Sequence, residues 1–152
     1  CGFKYNMMDL QAAIGIHQLS RVEASWLRRR EIWQRYQRAF ANLPVERPAE
    51  AEADTRHAHH LYTLLIDEPA AGLTRDDFLA RMNAVGIGTG VHYLSLAEHP
   101  FYHERFGWRP EMWPVAMRLG RTTVSLPLSA KLSDEDVSRV IAAVTGLVGR
   151  SA

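Results

Sequence analysis

The sequence predicts an α+β domain: a two-layer sandwich of a small three-stranded sheet, antiparallel or mixed, with helices on one face and a long N-terminal helix leading into it. Three observations predict this. Apolar residues spaced by threes, fours and sevens run from Leu10 to Leu43, the signature of one helix face. Short apolar runs of strand length follow, separated by helical periodicities. Two boxes, Thr74-x-x-Asp77 and Ser133-x-x-Asp136, each announce a helix start.

Taken in order, Asp9 supplies an N-cap or a first-turn acid. Leu10, Ile14, Val22, Trp26, Trp33, Tyr36, Phe40 and Leu43 then mark one face of a helix over about residues 9–42, bent near Gly15. At about 1.5 Å per residue this helix is roughly 50 Å long. That is long for a domain of 152 residues, so part of it is expected to pack on something outside this chain. Pro44 and Pro48 stop the helix, and residues 49–57 read as a polar loop. Residues 61–66 have strand length and composition. Asp67-Glu68-Pro69 and Gly72 mark a turn. The Thr74 box opens a helix carrying Phe78, Leu79, Met82 and Val85, ended by Gly86. Residues 88–93 read as a second strand, approached through glycines. Residues 94–120 read as an irregular aromatic loop punctuated by Pro100, Pro110 and Pro114, with Phe101, Tyr102, Phe106, Trp108 and Trp113 between them. Residues 122–126 are the third strand. The Ser133 box opens a last helix with Val137, Val140, Ile141, Val144 and Leu147 on one face.

Composition excludes several classes of function. Hydrophobic residues are 47% and charged residues 23%, enough for one globular core. A formal net charge of +1 with no basic stripe gives no pull toward nucleic acid. No apolar run approaches the ~20 residues that span a membrane. Cys1 is the only cysteine, so no internal disulfide forms, and a reducing, cytoplasmic setting is expected. The chain opens on Cys1 without a methionine and enters a helical pattern almost at once. That leads us to expect a piece of a larger protein; the rival is a complete small protein freed of a tag.

Four sets of residues invite a chemical reading. His57, His59 and His60 form the densest histidine cluster, but no carboxylate or thiolate partners accompany them, so no metal site is expected. The glycines of Gly86-Ile87-Gly88-Thr89-Gly90 follow a helix and precede a strand, the reverse of a phosphate-binding loop. They read as a place of close backbone approach. His92 stands at the end of a predicted strand; it either bonds a ligand or shuttles a proton, or is a structural histidine bonded to backbone. Arg28, Arg29 and Arg30 read as the solvated face of a helix, with phosphate binding as the rival. No nucleophile elbow is present.

Several stretches resemble the DegT/StrS family of sugar aminotransferases, in the same order and over nearly the whole chain. They are Gly2-Phe3-Lys4-Tyr5-Asn6-Met7-Met8-Asp9-Leu10-Gln11-Ala12-Ala13; Gln18-Leu19 with Arg28-Arg29-Arg30-Glu31-Ile32; His59-His60-Leu61-Tyr62; Gly86-Ile87-Gly88-Thr89-Gly90-Val91-His92-Tyr93; and Ser125-Leu126-Pro127-Leu128 with Leu132-Ser133-Asp134-Glu135-Asp136. The wording around Lys4 and His92 is nearest to the branch that makes UDP-4-amino-4-deoxy-L-arabinose for lipid A modification. The resemblance implies the small C-terminal domain of a type I aminotransferase fold, residues 44–152, preceded by an interface arm and connecting helix, residues 1–43. It implies pyridoxal 5'-phosphate as cofactor, glutamate and 2-oxoglutarate as amino donor and its product, a keto-sugar nucleotide as acceptor, and a homodimer.

The resemblance also assigns residues. The family's Schiff-base lysine lies upstream. Neither Lys4 nor Lys131 sits in its motif, so the chain holds no catalytic residue of its own and is expected to be inactive alone. Lys4 and Asn6 match a segment that crosses the dimer toward the neighbour's cofactor phosphate; a cation and an amide both suit that contact. Many relatives have asparagine and arginine at these two places, and threonine where this chain has Met8. His92 and Tyr93 match the block lining the sugar-nucleotide side of the pocket. Two alternatives stay open: a sugar dehydratase on the same scaffold, and a non-catalytic module that dimerises or regulates through the long helix.

Overall fold

A computed structural model describes residues 5–149. The elements are α1 (Asp9–Leu19), α2 (Val22–Ala39), β1 (Val45–Glu46), β2 (Tyr62–Ile66), α3 (Glu68–Ala71), α4 (Arg75–Ala84), α5 (Pro100–Phe106), α6 (Pro114–Thr122), β3 (Thr123–Leu126) and α7 (Asp134–Val148). The sheet is antiparallel, in the order β1-β2-β3, with Val45 opposite Ile66 and Tyr62 opposite Leu126.

The expected α+β class holds, and its core lies where the periodicities put it. Tyr62, Leu64 and Ile66 alternate inward along β2 with Val124 and Leu126 of β3, and this face meets α2, α4 and α7. Ile32, Trp33 and Tyr36 of α2 and its C-cap Phe40 are spaced by ones, threes and fours, and all are buried. Tyr62 receives three of their rings, with centroids 5.7 Å from Trp33, 5.1 Å from Tyr36 and 6.1 Å from Phe40. Tilted aromatic pairs of this kind each contribute about 0.5–1.5 kcal/mol beyond the area they bury. From α7 come Val137, Val140, Val144 and Val148.

Four expectations are corrected. The long helix breaks at Ser20–Arg21 rather than near Gly15. The Ser20 hydroxyl donates to the His17 carbonyl at 2.7 Å, a local bond that competes with continuing the helix. Nothing lies within 4 Å of a Cβ built on Gly15, so that glycine is under no pressure to bend. Residues 88–93 do not form a strand: only Gly90 pairs, in an isolated bridge to Ser125. The sheet's third strand is instead β1, two residues long between Pro44 and Pro48. The loop over 94–120 is largely helical. Pro100 and Pro114 each occupy the first position of a helix and Pro110 that of a 3₁₀ turn. There a missing N–H and a fixed φ help rather than break.

The Ser133 box forms with both of its reciprocal bonds, whereas at Thr74 only the N-cap half forms. The Asp77 N–H donates to Thr74 Oγ1 at 3.1 Å, and the Asp136 N–H to Ser133 Oγ at 3.0 Å. Helix α1 begins at Asp9, which is its first-turn acid; Met8 is the N-cap, its N–H bonding Gln11 Oε1. Helix α4 ends at Gly86, with φ of 75°, while Ile87 and Gly86 donate to the Met82 and Asn83 carbonyls. The opposite face of the sheet is partly covered too. Glu46 pairs with Leu65, whose side chain points away from the core, and Arg118 of α6 reaches Glu46 at 2.9 Å.

Candidate functional site

The residues singled out by sequence fall in four separate places. His92 and Tyr93 lie just past the Gly90–Ser125 bridge. There the Gly90 N–H donates to the Ser125 carbonyl at 3.1 Å and the Ser125 N–H to the Gly90 carbonyl at 2.8 Å. Ser125 is therefore fixed twice, by β3 pairing with β2 and by this bridge. Its hydroxyl sits 2.9 Å from His92 Nδ1. Ser125 is buried, whereas His92 and Tyr93 are exposed, Tyr93 at 76%. The two rings meet edge to face with centroids 4.9 Å apart. His92 is thus neither a backbone-bonded structural histidine nor a free one. One nitrogen is anchored on a buried serine, and Nε2 has no partner among the described residues.

Two glycines make this arrangement fit. A Cβ on Gly90 would stand 2.9 Å from His92 Cε1, so the imidazole lies where any side chain at 90 would be. A Cβ on Gly120 of α6 would stand 2.6 Å from the Ser95 nitrogen and 3.3 Å from the Tyr93 carbonyl oxygen. The segment carrying His92 and Tyr93 therefore lies directly on a bare stretch of helix. Sequence reading missed Ser125 and Gly120. The signals were there: a serine alternating with Val124 and Leu126 in a buried strand, and a glycine inside an amphipathic helix.

Asn6 is exposed immediately ahead of α1. Lys4 lies outside the described residues. None of the described residues of α1 is buried, and Leu10, Ile14, Ile16 and Leu19 are each more than half exposed. This is the part of the long helix expected to pack outside the chain.

The arginine run is a solvated face only in part: Arg30 is exposed, while Arg28 and Arg29 are half-buried. Arg28 donates to the Leu132 carbonyl and to Asp134, each at 2.8 Å, and Arg35 donates to the same carboxylate at 2.9 Å. These arginines clasp α2 to the start of α7 and hold the Asp134 carboxyl below its usual range. Successive helical residues point about 100° apart, so Arg30 goes elsewhere and lies over the Trp26 ring at 5.0 Å.

The histidine cluster is packed into the same wall. His59 N–H donates to His57 Nδ1 at 2.9 Å, and the two Nδ1 atoms are 3.2 Å apart. The His59 ring lies 5.2 Å from Trp33 and 5.9 Å from Trp26, and Trp26 Nε1 donates to the His57 carbonyl at 2.8 Å. Burial, and then the neighbouring His57, push His59 toward its neutral form. Among the described residues no group of three candidate metal ligands is present.

No described helix is long and apolar enough to cross a membrane. Comparison with known proteins gives one consistent result. Residues 1–145 match the model of the DegT/DnrJ/EryC1/StrS aminotransferase family. The spore coat polysaccharide biosynthesis protein SpsC of Bacillus subtilis (strain 168) is 44% identical over 148 residues, covering 97% of this chain and 38% of SpsC. Among solved structures, Spr1654 of Streptococcus pneumoniae in its PLP form superposes with a TM-score of 0.86 at 28% identity, over 95% of this chain and 36% of that one. The aminotransferase TlmJ of Streptoalloteichus hindustanus superposes with a TM-score of 0.79 at 28% identity, over 95% of this chain and 37% of that one. The chain spans less than two fifths of the length of the curated relatives it matches.

Proposed function

The chain belongs to the DegT/DnrJ/EryC1/StrS aminotransferase family, and on that premise we propose that it is the small-domain portion of a pyridoxal-phosphate-dependent aminotransferase acting on a keto-sugar nucleotide, with glutamate as amino donor. The observation that carries this is the family match over residues 1–145. The PLP form of Spr1654 supports the cofactor, and the polysaccharide role in the name of SpsC supports a sugar substrate.

The residues present fit part of that cofactor. Asn6 offers an exposed amide ahead of α1, suited to a phosphate oxygen, and Lys4 belongs to the same segment. Lys131, the other lysine, is exposed in the turn before α7. We assign no cofactor-bonding lysine to this chain and expect it to be inactive alone. Pyridoxal phosphate, when bound, supplies the electron sink for amino transfer. The work left to this chain is positional. The arm around Asn6 reaches the phosphate of a second subunit in a homodimer. His92 and Tyr93 present Nε2 and a phenol to the sugar nucleotide. The exposed apolar face of α1 is consistent with an arm that finds its cover beyond this chain.

The test uses the protein at the full length of its relatives, with pyridoxal phosphate, glutamate and UDP-linked keto-sugars. The keto-pentose comes first, because the wording around Lys4 and His92 favours it. Formation of 2-oxoglutarate in step with an amino sugar is expected. Dehydration of the sugar without consumption of glutamate would replace the proposal with the dehydratase reading. For the 152-residue chain alone, pyridoxal phosphate and borohydride should leave no stoichiometric adduct on Lys4 or Lys131. Such an adduct overturns the assignment of the lysine elsewhere.

A further inference from the structure

We propose that Ser125 is a positioning residue that fixes the tautomer of His92, so that His92 meets its ligand as a hydrogen-bond donor through Nε2–H. The significance for substrate binding rests on the function proposed above; the tautomer itself does not.

The argument begins with the serine. Ser125 is 5% exposed, and the one side-chain bond it makes among the described residues is the 2.9 Å contact with His92 Nδ1. Two arrangements satisfy that distance. In one, Nδ1–H donates to Oγ, which leaves the serine O–H to find another acceptor. Among the described residues Ser125 Oγ has no bonded partner other than His92 Nδ1, and the nearby Gly90 carbonyl is bonded by the Ser125 main-chain N–H. A buried hydroxyl without an acceptor costs about 1–3 kcal/mol. In the other, Ser125 O–H donates to a bare Nδ1, and every buried group is satisfied. A neutral imidazole carries its proton on one nitrogen only. The second arrangement therefore puts the proton on Nε2, the exposed nitrogen.

Gly90 fixes the ring's place as Ser125 fixes its proton. The imidazole occupies the space beside the Gly90 Cα, so an alanine there would displace it from Oγ. In this tautomer His92 presents the Nε2–H to an acceptor oxygen. An oxygen of a sugar nucleotide fits it; an ammonium group does not. Tyr93, edge-on to the ring at 4.9 Å, limits the ring's tilt on the exposed side.

The test is a long-range proton–nitrogen correlation spectrum of the histidine rings in the uniformly labelled chain, above the pH at which histidine is protonated. His92 is assigned by His92→Gln. The expected result is one tautomer for His92, with an acceptor Nδ1 and a protonated Nε2. Ser125→Ala should give a mixture of both tautomers, and Ser125→Thr, which keeps the hydroxyl, should restore the single one. Gly90→Ala should lose it with Ser125 intact. Backbone amide shifts of Tyr62–Ile66 report whether each variant keeps the sheet. Should Ser125→Ala lose it, Ser125→Cys, close in size with a weaker donor, takes its place. A wild-type Nδ1–H, or a Ser125→Ala spectrum identical to wild type, overturns the proposal. Neither outcome depends on amino transfer, so failure here is distinct from failure of the proposed reaction.

Discussion

Replacing Gly120 by alanine sets two effects of known sign against each other. Gly120 lies inside α6, where alanine in place of glycine ordinarily gains about 1 kcal/mol of helix propensity. Its Cβ would meet the Ser95 nitrogen at 2.6 Å, and the Leu94 carbonyl carbon and Tyr93 carbonyl oxygen at 3.3 Å. All three are backbone atoms, so no rotamer change relieves the contact. The segment after His92 has to lift off the helix. Overpacking of this kind costs about 1–3 kcal/mol and more where backbone must move. Because only backbone can yield, the clash wins, and Gly120→Ala is expected to destabilise by up to about 2 kcal/mol net. Gly146 is the internal control. It lies in α7, is exposed, and a Cβ there meets nothing within 4 Å. Gly146→Ala should stabilise by about 0.5–1 kcal/mol. For a chain of this size 1 kcal/mol moves Tm by about 2–4 °C, so the two variants should separate on opposite sides of wild type. Urea titrations at equal m would confirm that stability, not compactness, has changed. A Gly120→Ala protein as stable as Gly146→Ala would refute the claim that the His92–Ser95 segment lies against bare helix.

Other outcomes follow from the same contacts. The Asp134 carboxyl is held low by hydrogen bonds and charge from Arg28, then by Arg35. Its contribution is therefore complete above the ordinary carboxylate value of 3.8 and fades as pH falls through the lowered folded value. Asp134→Asn should flatten the loss of urea resistance below about pH 4; an acid limb unchanged from wild type would remove the clasp from the account. Tyr36 is fully buried and donates to the Pro127 carbonyl at 2.9 Å. Tyr36→Phe should cost about 0.5–1.5 kcal/mol, the net worth of one hydrogen bond to a half-buried carbonyl, and chemical denaturation measures it directly. Helix α1 leaves Leu10, Ile14, Ile16 and Leu19 uncovered, so the chain should self-associate as its concentration rises. Sedimentation velocity on wild type and on a Leu10→Glu, Ile14→Glu double variant tests this. A monomer over the whole accessible range in both would count against it.

The sequence by itself determined the elements whose signals are local. Periodicity over Trp33, Tyr36 and Phe40 placed the core face of α2, and the Ser133 and Thr74 boxes placed two helix starts, because capping and amphipathic spacing act within a turn or two. The ordered blocks from Gly2 to Asp136 pointed to the family before any fold was known. What failed were judgements needing a partner distant in the chain. A strand is a strand only if another accepts its bonds; residues 88–93 meet Ser125 once and turn away, while two residues between prolines complete the sheet. Arg28 and Arg35 of α2 looked solvated because their acceptor, Asp134, lies about a hundred residues on. His92 was legible as a candidate, but its chemistry was not. Which nitrogen it offers depends on a buried hydroxyl thirty-three residues away, and only tertiary structure brings that hydroxyl within 2.9 Å.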